Sequence, residues 1–272
     1  AFTYWYREAA KEPRRRTSPI VFFHGIGTGI SSYGVLLKAL SSAYPDSSIM
    51  VVELPLVAME RPWVETRTAT AGEGLCAPLA AAMRERGFLP RSDAAEDWEA
   101  WRARGGKRPV LMGHSFGCFA CRWLLNEAPL AKALGGCVFL DPMVFLTPFP
   151  DISKRLQGPC ETFYQFLVRR CIMREPSVAF ALNRKSRWPK CCLWEEDLRE
   201  IRRANPSIKF SVALSRRDCF FDTALVSSYL ATFDFPAECF SQATYDCTHG
   251  EMIFNPNLLV GVVKHLNTVI TP

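Results

Sequence analysis

Continuously apolar runs alternate with segments of helical periodicity along most of the 272-residue chain, and this alternation restricts the fold more than any other feature. Runs without polar alternation predict parallel strands that are covered on both faces. Apolar residues that recur at helical spacing predict the intervening helices. Together they predict an α/β fold with a mostly parallel, doubly wound sheet. The strands are predicted at residues 19–23, 48–53, 109–112, 136–140, 208–214 and 237–240, and the helices at 32–43, 71–86, 116–126 and 257–267.

Residues 142–206 interrupt the alternation between the fourth and fifth predicted strands. The segment is rich in aromatic residues and has helical patterns at 161–173 and 195–204. Because so long a connection within a compact domain is usually functional, we expect a helical lid here. The lid would be inserted into a core of residues 1–141 and 207–272.

The positive charge of the chain is concentrated in the same segment. The whole chain has 33 Lys and Arg against 27 Asp and Glu, a net charge of +6, and residues 142–206 contribute +5 of it. A basic segment predicts either a solvated cap over the core or contact with an anionic surface. We therefore expect peripheral membrane contact through a basic lid, with a soluble basic cap as the alternative.

Composition excludes several classes of protein. A chain that is 49% hydrophobic and 12% aromatic is not disordered, and its apolar runs are too short to span a bilayer. The sequence begins at Ala1 and enters structured-looking sequence almost at once, so we expect an incomplete N-terminus. Eleven scattered cysteines lack the pattern of a zinc site and predict buried thiols in a reducing, intracellular compartment. No metal site is expected.

The sequence Gly113-His114-Ser115-Phe116-Gly117 follows the third predicted strand and begins the next helix. This is the G-x-S-x-G pattern in a strand-turn-helix context, where a sharp turn exposes the serine hydroxyl above the sheet. The flanking glycines avoid clashes that a Cβ would cause, and the helix N-terminus favours a developing negative charge. The pattern predicts Ser115 as a nucleophile.

A second motif, His24-Gly25-Ile26-Gly27, follows the first predicted strand. Backbone N–H groups at this turn and after the nucleophile form the oxyanion hole in such architectures. We expect the N–H groups of Ile26 and Phe116 to be the donors and His24 and Gly25 to shape the turn. The alternative is a plain glycine turn.

A serine nucleophile needs a base, and the chain has four histidines. His24 belongs to the oxyanion turn, His265 lies in the last predicted helix, and His114 is expected to point away from Ser115. His249 lies in a loop before that helix and follows the expected order of nucleophile, acid and histidine along the chain. We predict His249 as the base.

Two aspartates are candidates for the acid that orients the base. Asp218 follows the fifth predicted strand, and Asp141 follows the fourth. Asp218 is favoured because its loop is the expected one, and Asp141 would otherwise act as a turn residue at the start of the lid. Asp222 and Asp246 are weaker candidates.

Together these motifs resemble the α/β-hydrolase-fold family over essentially the full length of the chain. The sequence departs from many members at Ser215, where they carry glycine. Residues 138–145 and 183–198 also resemble uncharacterised α/β hydrolases of eukaryotic microbes, a group that brings no known substrate.

The resemblance implies a serine hydrolase that cleaves a carboxylic ester or thioester through an acyl-enzyme and needs no cofactor. Aromatic residues of the expected lid favour an apolar acyl group. The expected partner is a small-molecule ester, and no nucleic acid. An acyltransferase with the same triad, or a ligand-binding protein on a hydrolase scaffold, is the alternative.

Overall fold

The computed structural model describes residues 3–10, 17–59, 74–160, 162–185 and 188–270. Seven strands form one sheet in the order β1-β3-β2-β4-β5-β6-β7. β1 is antiparallel to β3, and every other neighbouring pair is parallel. The predicted mostly parallel α/β sheet is thus confirmed. The strands are β1 (Tyr4–Arg7), β2 (Ile20–Phe23), β3 (Ile49–Val52), β4 (Val110–His114), β5 (Gly136–Leu140), β6 (Lys209–Arg217) and β7 (Phe240–Thr248).

The helices cover both faces of this sheet. They are α1 (Gly34–Ala43), α2 (Cys76–Glu85), α3 (Ala95–Ala103), α4 (Gly117–Asn126), α5 (Ala128–Ala133), α6 (Pro150–Gln157), α7 (Phe163–Leu167), α8 (Pro176–Phe180), α9 (Trp188–Cys191), α10 (Glu195–Ala204), α11 (Thr223–Ala231), α12 (Glu251–Phe254) and α13 (Pro256–Val269). Short 3-10 turns lie at Gly29–Tyr33 and Pro55–Val57, and π-helical turns lie at Val168–Met173 and Ala181–Lys185. Buried residues of α1, α12 and α13 pack on one face, and those of α2, α4, α10 and α11 pack on the other.

Strand β2 shows why the central strands are continuously apolar. Val21 and Phe23 belong to the hydrophobic cluster on one face, and Ile20 and Phe22 belong to the cluster on the other. All four side chains are fully buried. Because both faces contact helices, any polar residue in this strand would be buried away from water.

The two edge strands were predicted less well. β1 was not among the predicted strands, and the last strand lies at Phe240–Thr248, so the predicted position 237–240 is wrong. Along β7, half-buried and exposed residues alternate from Ser241 to Asp246, and in β1 the side chain of Trp5 is 67% exposed. Edge strands are covered incompletely, so they lack the continuous apolar run from which the central strands were predicted.

The inserted segment between β5 and β6 is helical, as predicted. α10 coincides with the predicted helix at 195–204. The predicted helix at 161–173 is observed as α7 followed by the π-helical turn, and residue 161 lies outside the described residues. Residues 71–73 of the predicted helix at 71–86 also lie outside them. The division into a core and a lid remains a prediction.

All eleven cysteines lie in described parts of the chain, and each is a free thiol. Eight of them are buried, in keeping with the prediction from their scattered positions. Within the described residues, no helix combines the length and the apolar character that crossing a bilayer requires.

Two glycines bring the ends of β2 and β4 against the start of α4. A Cβ at Gly117 would overlap the carbonyl oxygen of Phe23 and lie 2.7 Å from that of His24. A Cβ at Gly113 would lie 2.9 Å from the backbone nitrogen of Cys118. The backbone approaches so closely here that no side chain fits.

We predict that Gly117→Ala lowers the free energy of unfolding by about 1–3 kcal/mol, because α4 must move away from β2 to admit the methyl group. Gly34→Ala is the matched control. Gly34 has a φ of −53° and no atom near its missing Cβ, so this change should be neutral or stabilise by about 0.4–1 kcal/mol. Denaturant unfolding measures both, and a Gly117→Ala variant as stable as wild type would contradict the close approach.

Candidate active site

Ser115 occupies the tight turn between β4 and α4. Its φ is +53°, in the left-handed region that is uncommon for a residue other than glycine. The backbone N–H of Ser115 donates to the carbonyl oxygen of Leu140 at 2.8 Å, and its own carbonyl accepts from the N–H of Cys118 at 3.1 Å. These bonds hold the strained turn, so that the hydroxyl faces a cavity at the carboxyl edge of the sheet.

His249 and Asp218 form a hydrogen-bonded chain to Ser115. The Ser115 hydroxyl lies 2.9 Å from His249 Nε2, and His249 Nδ1 lies 2.6 Å from Asp218 Oδ2. His249 follows β7 and Asp218 follows β6, whose carboxyl ends lie at the same edge of the sheet as that of β4. Asp218 Oδ1 also accepts the backbone N–H of Phe220 at 2.7 Å. Three residues that are distant in sequence therefore meet in one buried line.

The environment of His249 favours its protonated form. Burial lowers the pKa of His249, but the negative charge of Asp218, its hydrogen bond and the charge of Asp141 outweigh burial and raise the pKa above 6.5. The edge of the Phe220 ring packs against the imidazole, with 4.6 Å between the ring centroids. A buried imidazole that bears its proton on Nδ1 can accept a proton at Nε2.

Asp141, the alternative acid, lies close by but has other partners. Its carboxylate accepts the backbone N–H and the hydroxyl of Ser215 at 2.8 and 2.9 Å, and the backbone N–H of Gly250 at 2.8 Å. Burial raises the pKa of Asp141 to about 6. Asp141 thus connects the loop of Asp218 to the loop of His249. Ser215, the departure from the family pattern, supplies two of the three hydrogen bonds.

Asp141, Asp218 and His249 are also the group of described residues that could hold a metal ion, since their ligand atoms lie within 4.8 Å of one another. Protein donors and acceptors already engage these atoms: Ser215 and Gly250 on Asp141, and Ser115 on His249. The arrangement is accounted for by hydrogen bonds alone.

We expected His114 to point away from Ser115. The structure differs, because His114 lines the same cavity as Ser115. The Tyr33 hydroxyl accepts the N–H of Gly25 at 2.7 Å and forms a hydrogen bond of 2.7 Å with His114 Nδ1. His114 Nε2 lies 4.0 Å from Asp141 Oδ2. Burial and then the charges of His249 and His24 lower the pKa of His114. His114 is a neutral neighbour of the hydrogen-bonded chain.

The turn after β2 lies beside Ser115, as predicted. His24 is fully buried, with Nδ1 2.7 Å from the Gly25 carbonyl, and its Nε2 accepts the N–H of Leu54 at 2.8 Å. A Cβ at Gly25 would lie 3.0 Å from the Cβ of Ser115. Ile26 lines the cavity. Within the described parts of the chain, neither the Ile26 nor the Phe116 N–H has a hydrogen-bond acceptor.

The cavity above Ser115 has a volume of about 150 Å³. One side of it is an apolar wall supplied by the inserted segment 142–206. The wall consists of Leu156, Val168, Ile172, Met173 and Leu182. A small apolar group or part of an acyl chain fits such a space.

Three residues in and around this site were not found from the sequence. Tyr33 and Glu53 contact the turn after β2, Glu53 with Oε1 2.8 Å from His24 Nε2, and Ser215 donates to Asp141. No motif contains them, and each acts on a residue distant in the chain. The one sequence signal for such contacts is the alternation of strands and helices, because it predicts that the ends of parallel strands lie at the same edge of the sheet.

A sequence model of the Alpha/beta hydrolase family matches residues 20–238, which is most of the chain. The chain belongs to this family, and the protein is a hydrolase enzyme with the α/β-hydrolase fold. No curated protein matches the chain significantly in sequence.

Solved structures of similar fold include two esterases and a lipase. A thermophilic esterase from Thermogutta terrifontis is 13% identical, with a TM-score of 0.59, covering 98% of this chain and 93% of that one. Naproxen esterase from Bacillus subtilis is 14% identical, with a TM-score of 0.61 and coverages of 98% and 92%. A monoacylglycerol lipase from Paleococcus ferrophilus is 14% identical, with a TM-score of 0.54 and coverages of 97% and 99%. Identities this low show a shared fold.

If His249 acts as a base, activity requires its neutral form. A raised pKa means that the imidazole keeps its proton to a higher pH, so the midpoint of the increase of activity with pH should lie above pH 6.5. We expect kcat/KM for a soluble ester to reach an alkaline plateau with an apparent pKa above 6.5. Asp141→Asn removes a charge that raises this pKa and should shift the profile to lower pH. An apparent pKa below 6.5 in the wild type would contradict the assignment.

Proposed function

We propose that the protein is a serine hydrolase that cleaves a carboxylic ester, or a thioester, through an acyl-enzyme. The observation that carries this proposal is the continuous hydrogen-bonded chain from Asp218 through His249 to Ser115 at 2.6 and 2.9 Å. This is the arrangement by which a neutral hydroxyl becomes a nucleophile near neutral pH.

In the proposed reaction, Ser115 Oγ attacks the substrate carbonyl carbon while His249 Nε2 takes the hydroxyl proton. His249 then donates that proton to the leaving group, and the acyl group stays on Ser115. Asp218 keeps the imidazole in the Nδ1–H tautomer and stabilises its positive charge. A water molecule, deprotonated by His249, releases the acid and restores Ser115.

The backbone N–H groups of Ile26 and Phe116 are proposed to stabilise the oxyanion of each tetrahedral intermediate. Both donors lie beside Ser115 at turns that Gly25 and Gly117 keep close together. Donors fixed before the reaction need no reorganisation as the charge develops.

An apolar acyl group is the proposed specificity. The apolar wall faces the same cavity as Ser115, and Met143 and Phe220 add further apolar lining. Burial of methylene groups against such a wall contributes about 0.8 kcal/mol each, so longer acyl chains should be preferred until the cavity is filled.

A fluorophosphonate probe and a chain-length series of p-nitrophenyl esters and thioesters test the proposal. The probe should label Ser115, and turnover should depend on acyl length. Addition of an alcohol acceptor separates hydrolysis from acyl transfer by the products formed. Neither labelling nor turnover in a folded sample would refute the proposal.

Replacing each aspartate with asparagine shows which of the two orients His249. We expect Asp218→Asn to reduce turnover by about 10⁴, because the imidazole is then held in the wrong tautomer. Asp141→Asn should cost far less, because Asp141 bonds to Ser215 and Gly250. Ser115→Ala is the inactive reference. The reverse ranking of the two asparagine variants would assign the acid to Asp141.

A further inference from the structure

The helical stretch at 163–173 presents two different apolar faces. Its inner face contributes Val168, Ile172 and Met173 to the apolar wall of the cavity. Its opposite face is exposed to solvent and follows helical spacing of three and four residues. We call this face the outer stripe; it consists of Phe163, Phe166, Leu167, Arg170, Cys171 and Arg174.

The outer stripe exposes large apolar side chains. Phe163 is 74% exposed, Phe166 43% and Leu167 41%. The Phe163 and Phe166 rings stack with 6.4 Å between their centroids, and the guanidinium of Arg170 lies 5.7 Å from the centroid of the Phe166 ring. A contiguous exposed apolar patch on a folded protein marks an interaction surface more often than isolated residues do.

A basic groove lies between the outer stripe and the cavity. It has a volume of about 710 Å³ and is lined by Arg169, Arg170 and Arg174 together with Leu156 and other wall residues. No acidic residue is among its lining residues. The described part of the chain provides no ion pair to these three arginines, and the Arg169 guanidinium donates to backbone carbonyls. Within the described residues, no carboxylate neutralises the positive charge of this groove.

The positive charge of this surface indicates which kind of partner binds to it. Residues 162–174 contain three arginines and no Asp or Glu, within a segment whose net charge is +5. A second copy of the chain would bring the same positive charge and be repelled. An anionic phospholipid surface matches both the aromatic residues and the arginines. Aromatic side chains enter its apolar boundary, and arginines reach its phosphates.

We propose that the outer stripe docks on a membrane surface that contains anionic phospholipids, with a lipid phosphate bound in the basic groove. Leu156, Met173 and Leu182 line both the groove and the cavity of Ser115, so docking places the cavity next to the lipid. The proposal does not depend on the chemistry at Ser115, and binding can be measured without turnover.

Sedimentation with vesicles tests the charge contribution. Wild-type protein should bind phosphatidylcholine vesicles that contain phosphatidylserine, bind pure phosphatidylcholine weakly, and release as salt rises. Arg170→Gln with Arg174→Gln should weaken binding roughly thirtyfold at low salt. The control, Arg91→Gln with Lys132→Gln, removes the same charge at exposed positions outside the segment and should change binding by less than about twofold. Equal losses in both variants would overturn the proposal.

A second pair tests the apolar contribution. Phe163→Ser should weaken binding at every salt concentration, whereas Trp5→Ser, which removes a similarly exposed aromatic on β1, should not. Both positions are exposed, so thermal unfolding should show intact folds. The proposal is overturned if wild type ignores anionic vesicles, if the groove binds only inorganic phosphate in solution, or if Phe163→Ser dissociates a dimer without affecting vesicle binding.

Discussion

The turn at Ser115 is the constraint on which the remaining site geometry depends. Its positive φ is held by a hydrogen bond from its N–H to Leu140, at the end of the neighbouring strand. Gly117 lies against the carbonyl of Phe23, and Gly25 lies against Ser115 itself. The ends of three neighbouring strands are therefore in contact at one point. A displacement of any one of them alters the positions of both Ser115, the proposed nucleophile, and the proposed oxyanion donors.

Two buried carboxylates around one imidazole complete the arrangement. Burying two negative charges together is unfavourable unless donors or a positive charge compensate them. Asp218 is compensated by His249, and Asp141 by the N–H groups of Ser215 and Gly250. Both charges favour an imidazolium, which is the form that His249 takes as the proposed nucleophile attacks. The same hydrogen bonds also fix the two loops relative to each other.

Local sequence predicted the parts of this molecule that depend on local rules. Ser115 was predicted because a strand, a turn and a helix meet in five residues, and His249 and Asp218 were predicted from their loops and their order along the chain; the structure brings the three side chains together. β1 and β7 were missed or misplaced because edge strands need no continuous apolar run. Tyr33 was missed because its contact with His114 joins residues far apart in the chain, a relationship that one sequence without structure does not reveal.

The helical stretch at 163–173 has apolar residues on two faces, and packing against the protein explains only one of them. A helix that is apolar on one face is explained by the core, and one that is apolar on all sides is normally buried. This stretch is apolar on both sides, yet Phe163 stays exposed while Val168 lines the cavity. The cavity accounts for the inner face only. The arginines on the outer face have no ion pair within the described residues, and a phosphate-bearing apolar surface accounts for both residue types at once.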